Sequence, residues 1–128
     1  MVAVSLKKKA IFDRLILNRT LRKESIVFVD EPEAFLHPEA LLQFLRILLR
    51  MSQDGVQLFL ATHSLLVLNA LRLHAESKGE PVSVLSLERD RDHVTQQVHD
   101  LRDGMPSNAI VDASIRLYEM EMMGRFDD

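Results

Sequence analysis

The chain has 128 residues, 47% of them hydrophobic and 27% charged, a composition that suits one soluble globular domain. A formal net charge of -3 argues against a basic, duplex-binding surface as the main feature, and the absence of cysteine removes disulfides and thiolate metal sites. No apolar run reaches the length of a membrane span, and the N-terminal "MVAVSLKKK" has its basic residues behind its apolar ones, the reverse of a secretory signal, so a cytoplasmic protein is expected.

In chain order, Leu6 to Glu24 reads as a helix with Ser5 as its N-cap. Leu6, Ala10, Leu15, Leu17 and Leu21 fall near one stripe, and Lys and Arg fill most of the rest. "IVFVD", Ile26 to Asp30, is a continuous apolar run rich in β-branched residues, the pattern of a strand buried on both faces in a parallel sheet. "HPEALLQFLRILLRMSQ" follows as a helix with Pro38 in its first turn and Leu41, Leu42, Leu45, Leu48 and Leu49 as its apolar face. Asp54–Gly55 ends it.

Val56 to Thr62 repeats the buried-strand pattern. "HSLLVLNALRLHAESKG" is a further helix, capped by Thr62 or Ser64 and stopped by Gly79. Val82 to Glu88 and Val94 to Leu101 alternate around the charged turn "RDRDH" and read as two strands, a hairpin with a solvated tip. "DGMPSN" is a loop, and Ala109 to Met123 a final helix, after which Gly124 and "RFDD" fray. Alternating strands and helices give an α/β fold in a single domain, residues 1 to 128.

Chemistry concentrates at two strand ends. In open α/β sheets, ligands lie beyond the carboxyl ends of the strands. Asp30 and Glu31 close the first strand; Thr62, His63 and Ser64 close the second. A carboxylate placed there can hold Mg²⁺, its neighbour can act as a general base, and an imidazole can donate to a phosphate oxygen.

"IVFVDEP" resembles an extended Walker B motif, and "LFLATHS" resembles the switch-histidine segment of ATP-binding-cassette ATPases. "DEPEAFLHP" followed by "ATHS" is similar to the RecF/SMC-like and overcoming-lysogenization-type branch, and the resemblance runs from Ser5 to Leu101. It implies that Asp30 organises Mg²⁺, directly or through water, that Glu31 aligns the attacking water, and that His63 contacts the terminal phosphate. Thr62 and Ser64 would flank the nucleotide, and His37 would stand in the D-loop, where transporter cassettes carry an Asp. Ser5 and Lys7 are all that could remain of the family's signature segment.

The phosphate cradle of this family needs G-x-x-x-x-G-K-[ST], and none of Gly55, Gly79, Gly104 and Gly124 begins or completes it. The expected fold is therefore a partial three-layer P-loop NTPase sheet with flanking helices, lacking the N-terminal phosphate-loop strand. In the family's order that strand lies between Val56–Ala61 and Val82–Leu87. A gap there exposes strand edges, so self-association or a partner chain supplying the missing half is expected.

The resemblance further implies ATP with Mg²⁺ as ligand and DNA as a partner of the wider family; no membrane partner is expected. Two other functions compete: a non-catalytic protein-interaction module on the same fold, and, ranked last, a metal-dependent nuclease. Glu33 is read as facing the loop. The charged turn lacks the glycine and terminal glutamate of a calcium loop, and His74, His93 and His99 show no metal-ligand spacing.

Overall fold

The computed structural model describes Arg14, residues 22–34 and residues 36–126. The chain divides into two compact units, Met1–His63 and Ser64–Asp128.

The first unit is built on β1 (Ile26–Asp30), α1 (Pro38–Gln53) and β2 (Gln57–Ala61). β1 and β2 pair in parallel, with Ile26 opposite Gln57 and Asp30 opposite Ala61. Parallel partners need a crossover, and α1 provides it. Pro38 sits in its first turn, where the missing N–H costs nothing. Leu41, Phe44, Leu45, Leu48 and Met51 are buried along one stripe, the spacing expected of a helix with one face in a core. Leu45 and Leu48 are each only 1% exposed. The helix ends at Asp54, and Gly55 follows with φ +98°, a backbone that L side chains rarely adopt.

The second unit contains α2 (Leu65–Lys78), β3 (Ser83–Asp90), β4 (His93–Asp100), a single 3₁₀ turn at Leu101–Asp103, and α3 (Ala109–Met123). Ser64 caps α2, its Oγ accepting from the Val67 amide at 3.3 Å, and Gly79 ends it in the left-handed conformation. Val67, Leu68, Leu71 and Ala75 of α2 are buried, as is Leu101, and α2 packs against the 3₁₀ turn that carries Leu101. β3 and β4 form an antiparallel hairpin from Ser83↔Asp100 to Asp90↔His93. Asn108 is buried at the start of α3. Its Oδ1 accepts from the Val111 amide at 3.0 Å and its Nδ2 donates to Ser86 Oγ at 3.2 Å, so one residue both caps the helix and ties it to β3.

Several expectations are corrected. β1 and β2 are not buried on both faces: exposure alternates, with Phe28 76% and Phe59 46% exposed and their rings stacked 4.9 Å apart. The apolar run could be covered on both sides, but a two-stranded ribbon has one face with no layer over it among the described residues. The "RDRDH" turn is shorter than expected, because Arg89, Asp90 and His93 continue the ladder and only Arg91 and Asp92 turn, Arg91 at φ +50°. Arg22 to Glu24 are not helical but form a turn, with Glu24 at φ +76°. Within the expected first helix Arg14 is helical; its remaining residues up to Leu21, Ser5 before it, Phe35 and the last two residues lie outside the described residues.

The described strands form two two-stranded sheets, β1–β2 and β3–β4. The chain is thus mixed α/β with small sheets, compatible with a partial P-loop NTPase-like fold. Among the described residues, no helix is long and apolar enough to cross a membrane.

Candidate functional site

The parallel register brings the ends of β1 and β2 side by side, and the ladder runs one step further, with the Glu31 amide donating to the Ala61 carbonyl at 2.8 Å. Glu31 then leaves the strand with φ +49°. That is an unusual backbone for a residue before proline, which is normally held extended. A left-handed conformation costs an L residue roughly 1–2 kcal/mol, and strain of this kind often marks a functional position.

Pro32 is buried, with its side chain almost wholly removed from solvent. It occupies the second position of a turn closed by the Ala34 amide donating to the Glu31 carbonyl at 2.9 Å, where its fixed φ is favourable. The turn sends Glu33 back across the strand ends. Glu33 Oε1 accepts from Thr62 Oγ1 at 2.9 Å and from the His63 amide at 3.0 Å. A single carboxylate therefore clamps the exit of β2 to the exit of β1. Its second oxygen, Oε2, is buried and has no hydrogen-bond partner among the described residues.

His63 meets both acids. Its Nδ1 lies 3.5 Å from Glu31 Oε1 and 4.0 Å from Glu33 Oε1. The His63 side chain is 79% exposed and that of Glu31 49%, so the pair stands open to solvent and contributes little to stability. A carboxylate facing Nδ1 favours a proton on that nitrogen. Nε2 is then an acceptor in the neutral ring and a donor in the imidazolium.

The other expected residues fall as follows. Asp30 ends β1 and is exposed, opposite Ala61. Thr62 spends its hydroxyl proton on Glu33. Ser64 begins the second unit as the cap of α2. His37 caps α1, its Nδ1 accepting from the Glu39 amide at 3.2 Å, so at least one ring nitrogen has a local structural task. Glu33 was expected to face the loop and instead joins the cluster. The signal that could have found it is the "EPE" spacing, since a turn at Pro32 folds the residue after it towards the strand ends.

A metal was expected at Asp30. Among the described residues, no group of three or more His, Asp or Glu side chains converges to hold an ion. The donors do not fit a resident metal caged by protein alone. They do fit an ion shared with a ligand, because Mg²⁺ is commonly held by one or two carboxylates plus phosphate oxygens and waters, and Asp30 offers one exposed carboxylate at the strand end.

Residues 7–69 match the model of a family described as "AAA domain, putative AbiEii toxin, Type IV TA system". The chain is 37% identical over 64 residues to the Old nuclease of Escherichia phage P2, a stretch covering 45% of this chain and 11% of the phage protein. It is 27% identical over 90 residues to an uncharacterized protein of Methanocaldococcus jannaschii, covering 70% of this chain and 79% of that one. The chain therefore spans about a tenth of the phage protein's length. No solved structure matches it. The family match and the phage relative support a P-loop ATPase-type domain, and the matched residues contain β1, α1, β2 and the cluster at their ends.

Proposed function

We propose that the ends of β1 and β2 form one half of an ATP site of the ATP-binding-cassette, RecF/SMC-like type, and that the phosphate-cradling half comes from another segment or chain. One observation carries this reading: the parallel register sets Glu31 and His63 side by side at 3.5 Å on a single edge, with Asp30 at the strand end. The family match and the phage relative agree with it at the level of an ATPase domain.

In this reading each residue has one task. Glu31 accepts a hydrogen bond from the attacking water and aligns it. Its exposure leaves the carboxylate reachable by that water. His63, as the imidazolium, donates from Nε2 to the terminal phosphate while Glu31 and Glu33 face its Nδ1. Glu33 fixes the His63 backbone through the amide, and so fixes where the ring starts from. Asp30 would hold Mg²⁺ together with phosphate oxygens; such an ion, when bound, neutralises charge on the phosphates. Thr62 borders this edge, its hydroxyl donating to Glu33. His37 would reach a partner subunit only through its Nε2, since Nδ1 caps α1.

The strand edges suit a partner that completes the sheet, since β2 is laddered only to β1 among the described residues. A second copy or a chain bearing the phosphate loop is proposed as that partner, with DNA as the object of the completed assembly's work and the cytoplasm as its location.

The test is complementation. The purified chain is assayed for ATP hydrolysis alone and together with a polypeptide carrying G-x-x-x-x-G-K-[ST] that co-purifies with it. The reading expects turnover only in the complex, falling about 100-fold or more in Glu31→Gln, the usual weight of a general base. Full turnover by the chain alone would contradict the half-site. Undiminished turnover with Glu31→Gln would leave an interaction module instead. DNA cleavage in Mg²⁺ or Mn²⁺ without ATP would favour the nuclease reading.

A further inference from the structure

A cavity of about 370 Å³ lies in the first unit, at the opposite end of the same two strands from Glu31 and His63. Five residues of strand separate the two ends, roughly 15 Å at the usual rise. Its lining includes Arg22, Lys23, Arg46 and Arg50, with Asp54 as the one carboxylate among its described lining. Its apolar part is Ile47, Met51 and Val56. Four cations against one acid is a marked local imbalance in a chain whose net charge is -3. Lys23, Arg46 and Arg50 enter no ion pair among the described residues.

Hydrogen bonds hold the backbone on the Arg22 side of the lining. The Arg22–Ser25 turn is closed by the Ser25 amide donating to the Arg22 carbonyl at 2.9 Å and by the Arg22 amide donating to Ser25 Oγ at 2.8 Å. The Glu24 amide donates to the Gly55 carbonyl at 2.9 Å, pinning that turn to the loop after α1. Gly55 then leaves room for the Lys23 stem: a Cβ there would come within 2.7 Å of Lys23 Cγ. Arg46 and Arg50 lie four residues apart on α1 and so share a face.

We propose that this cavity binds a small phosphorylated ligand with an apolar or planar body. The phosphate is held by the guanidinium and ammonium groups of Lys23, Arg46 and Arg50, and the body lies over Ile47, Met51 and Val56. Arginine forks match phosphate oxygens in pairs and also stack on planar groups. The volume falls in the usual range for small-molecule sites, about 300–1,000 Å³, which suits a bounded ligand better than a continuous polymer.

Phenyl phosphate, inorganic phosphate and a short oligothymidylate are the probes, titrated into the full chain while arginine Nε–H and Met51 methyl resonances are followed by NMR. The proposal expects saturable shifts with phenyl phosphate, about tenfold tighter than inorganic phosphate because the ring buries apolar surface. The double variant Arg46→Ala/Arg50→Ala weakens binding by about 100-fold, at roughly tenfold for each lost charge-assisted hydrogen bond. Arg46 and Arg50 are exposed, so the fold survives their loss. Arg89→Ala/Arg91→Ala removes the same charge from the exposed hairpin tip and leaves binding unchanged. No saturable shift, equal affinity for the two phosphates, an equal loss in the hairpin variant, or binding of the oligonucleotide alone would overturn the proposal.

Discussion

Glu33 is the residue on which the geometry of the strand ends depends, and its removal has a magnitude that can be worked out. Glu33→Ala deletes two acceptor contacts, to Thr62 Oγ1 at 2.9 Å and to the His63 amide at 3.0 Å. Hydrogen bonds to a charged group are worth about 1.5–3 kcal/mol each. The Glu33 side chain keeps 22% of its exposure, so solvent screens part of this. The change also removes Oε2, a buried oxygen with no partner whose burial itself costs about 1–3 kcal/mol. The two effects oppose, and the net expected loss is about 1–2 kcal/mol. The loss is local, so the assay is local: amide hydrogen exchange and the amide chemical shift of His63, beside urea unfolding of the whole chain. The His63 amide should move upfield and exchange faster by about tenfold or more, the equivalent of about 1.4 kcal/mol. Glu33→Gln keeps Oε1 as an acceptor and should preserve most of the protection. Unchanged exchange at His63 in Glu33→Ala would refute the clamp.

Other outcomes follow from the same structure. Glu31→Gln should alter stability by less than about 0.5 kcal/mol, because the His63 contact is exposed and long; chemical denaturation checks it. Glu31→Gly should raise stability by roughly 0.5–1 kcal/mol, since relief of about 1–2 kcal/mol of strain at φ +49° is partly offset by glycine's greater unfolded-chain entropy; a lower thermal midpoint would contradict that backbone. Asn108→Ala should cost about 1–2 kcal/mol through loss of the α3 cap and the Ser86 contact, read by thermal unfolding. The Arg102 guanidinium, hydrogen-bonded to Asp100, holds that carboxyl below the usual carboxylate range. A depressed carboxylate favours the fold above its unfolded pKa and loses that contribution as pH falls through the folded one, so the pair's small contribution should fade only in acid. A carboxyl NMR titration should show the Asp100 midpoint rising in Arg102→Ala.

Local signals in the sequence were legible where one residue type has one backbone use. Pro38 opens α1, Ser64 caps α2, Gly79 ends it, and α3 runs from Ala109 to Met123 as expected. The parallel pairing of β1 and β2 followed from their unbroken apolar runs and the helix between them. Burial was less legible. An apolar run says that a strand can be covered on both faces, but Phe28 and Phe59 are exposed because that depends on which surfaces meet them. The hairpin tip is shorter than its charge pattern suggests, since charged residues such as Arg89 and His93 can stay in an exposed ladder. At the site, the placement of Asp30, Glu31 and His63 on one edge could be reasoned from strand ends alone. The role of Glu33 could not, because it rests on the Pro32 turn and on two contacts to residues 29 and 30 positions away in sequence.

The central claim is that the ends of β1 and β2 read the terminal phosphate of ATP. It is tested most directly by observing the His63 imidazole in selectively labelled chain, complexed with its phosphate-loop partner, with Mg·ATP and then with Mg·ADP. With Glu31→Gln present to prevent turnover, the account expects the His63 Nε2 resonance to shift with ATP and return towards its ligand-free position with ADP. Identical His63 spectra in the two nucleotides would contradict it.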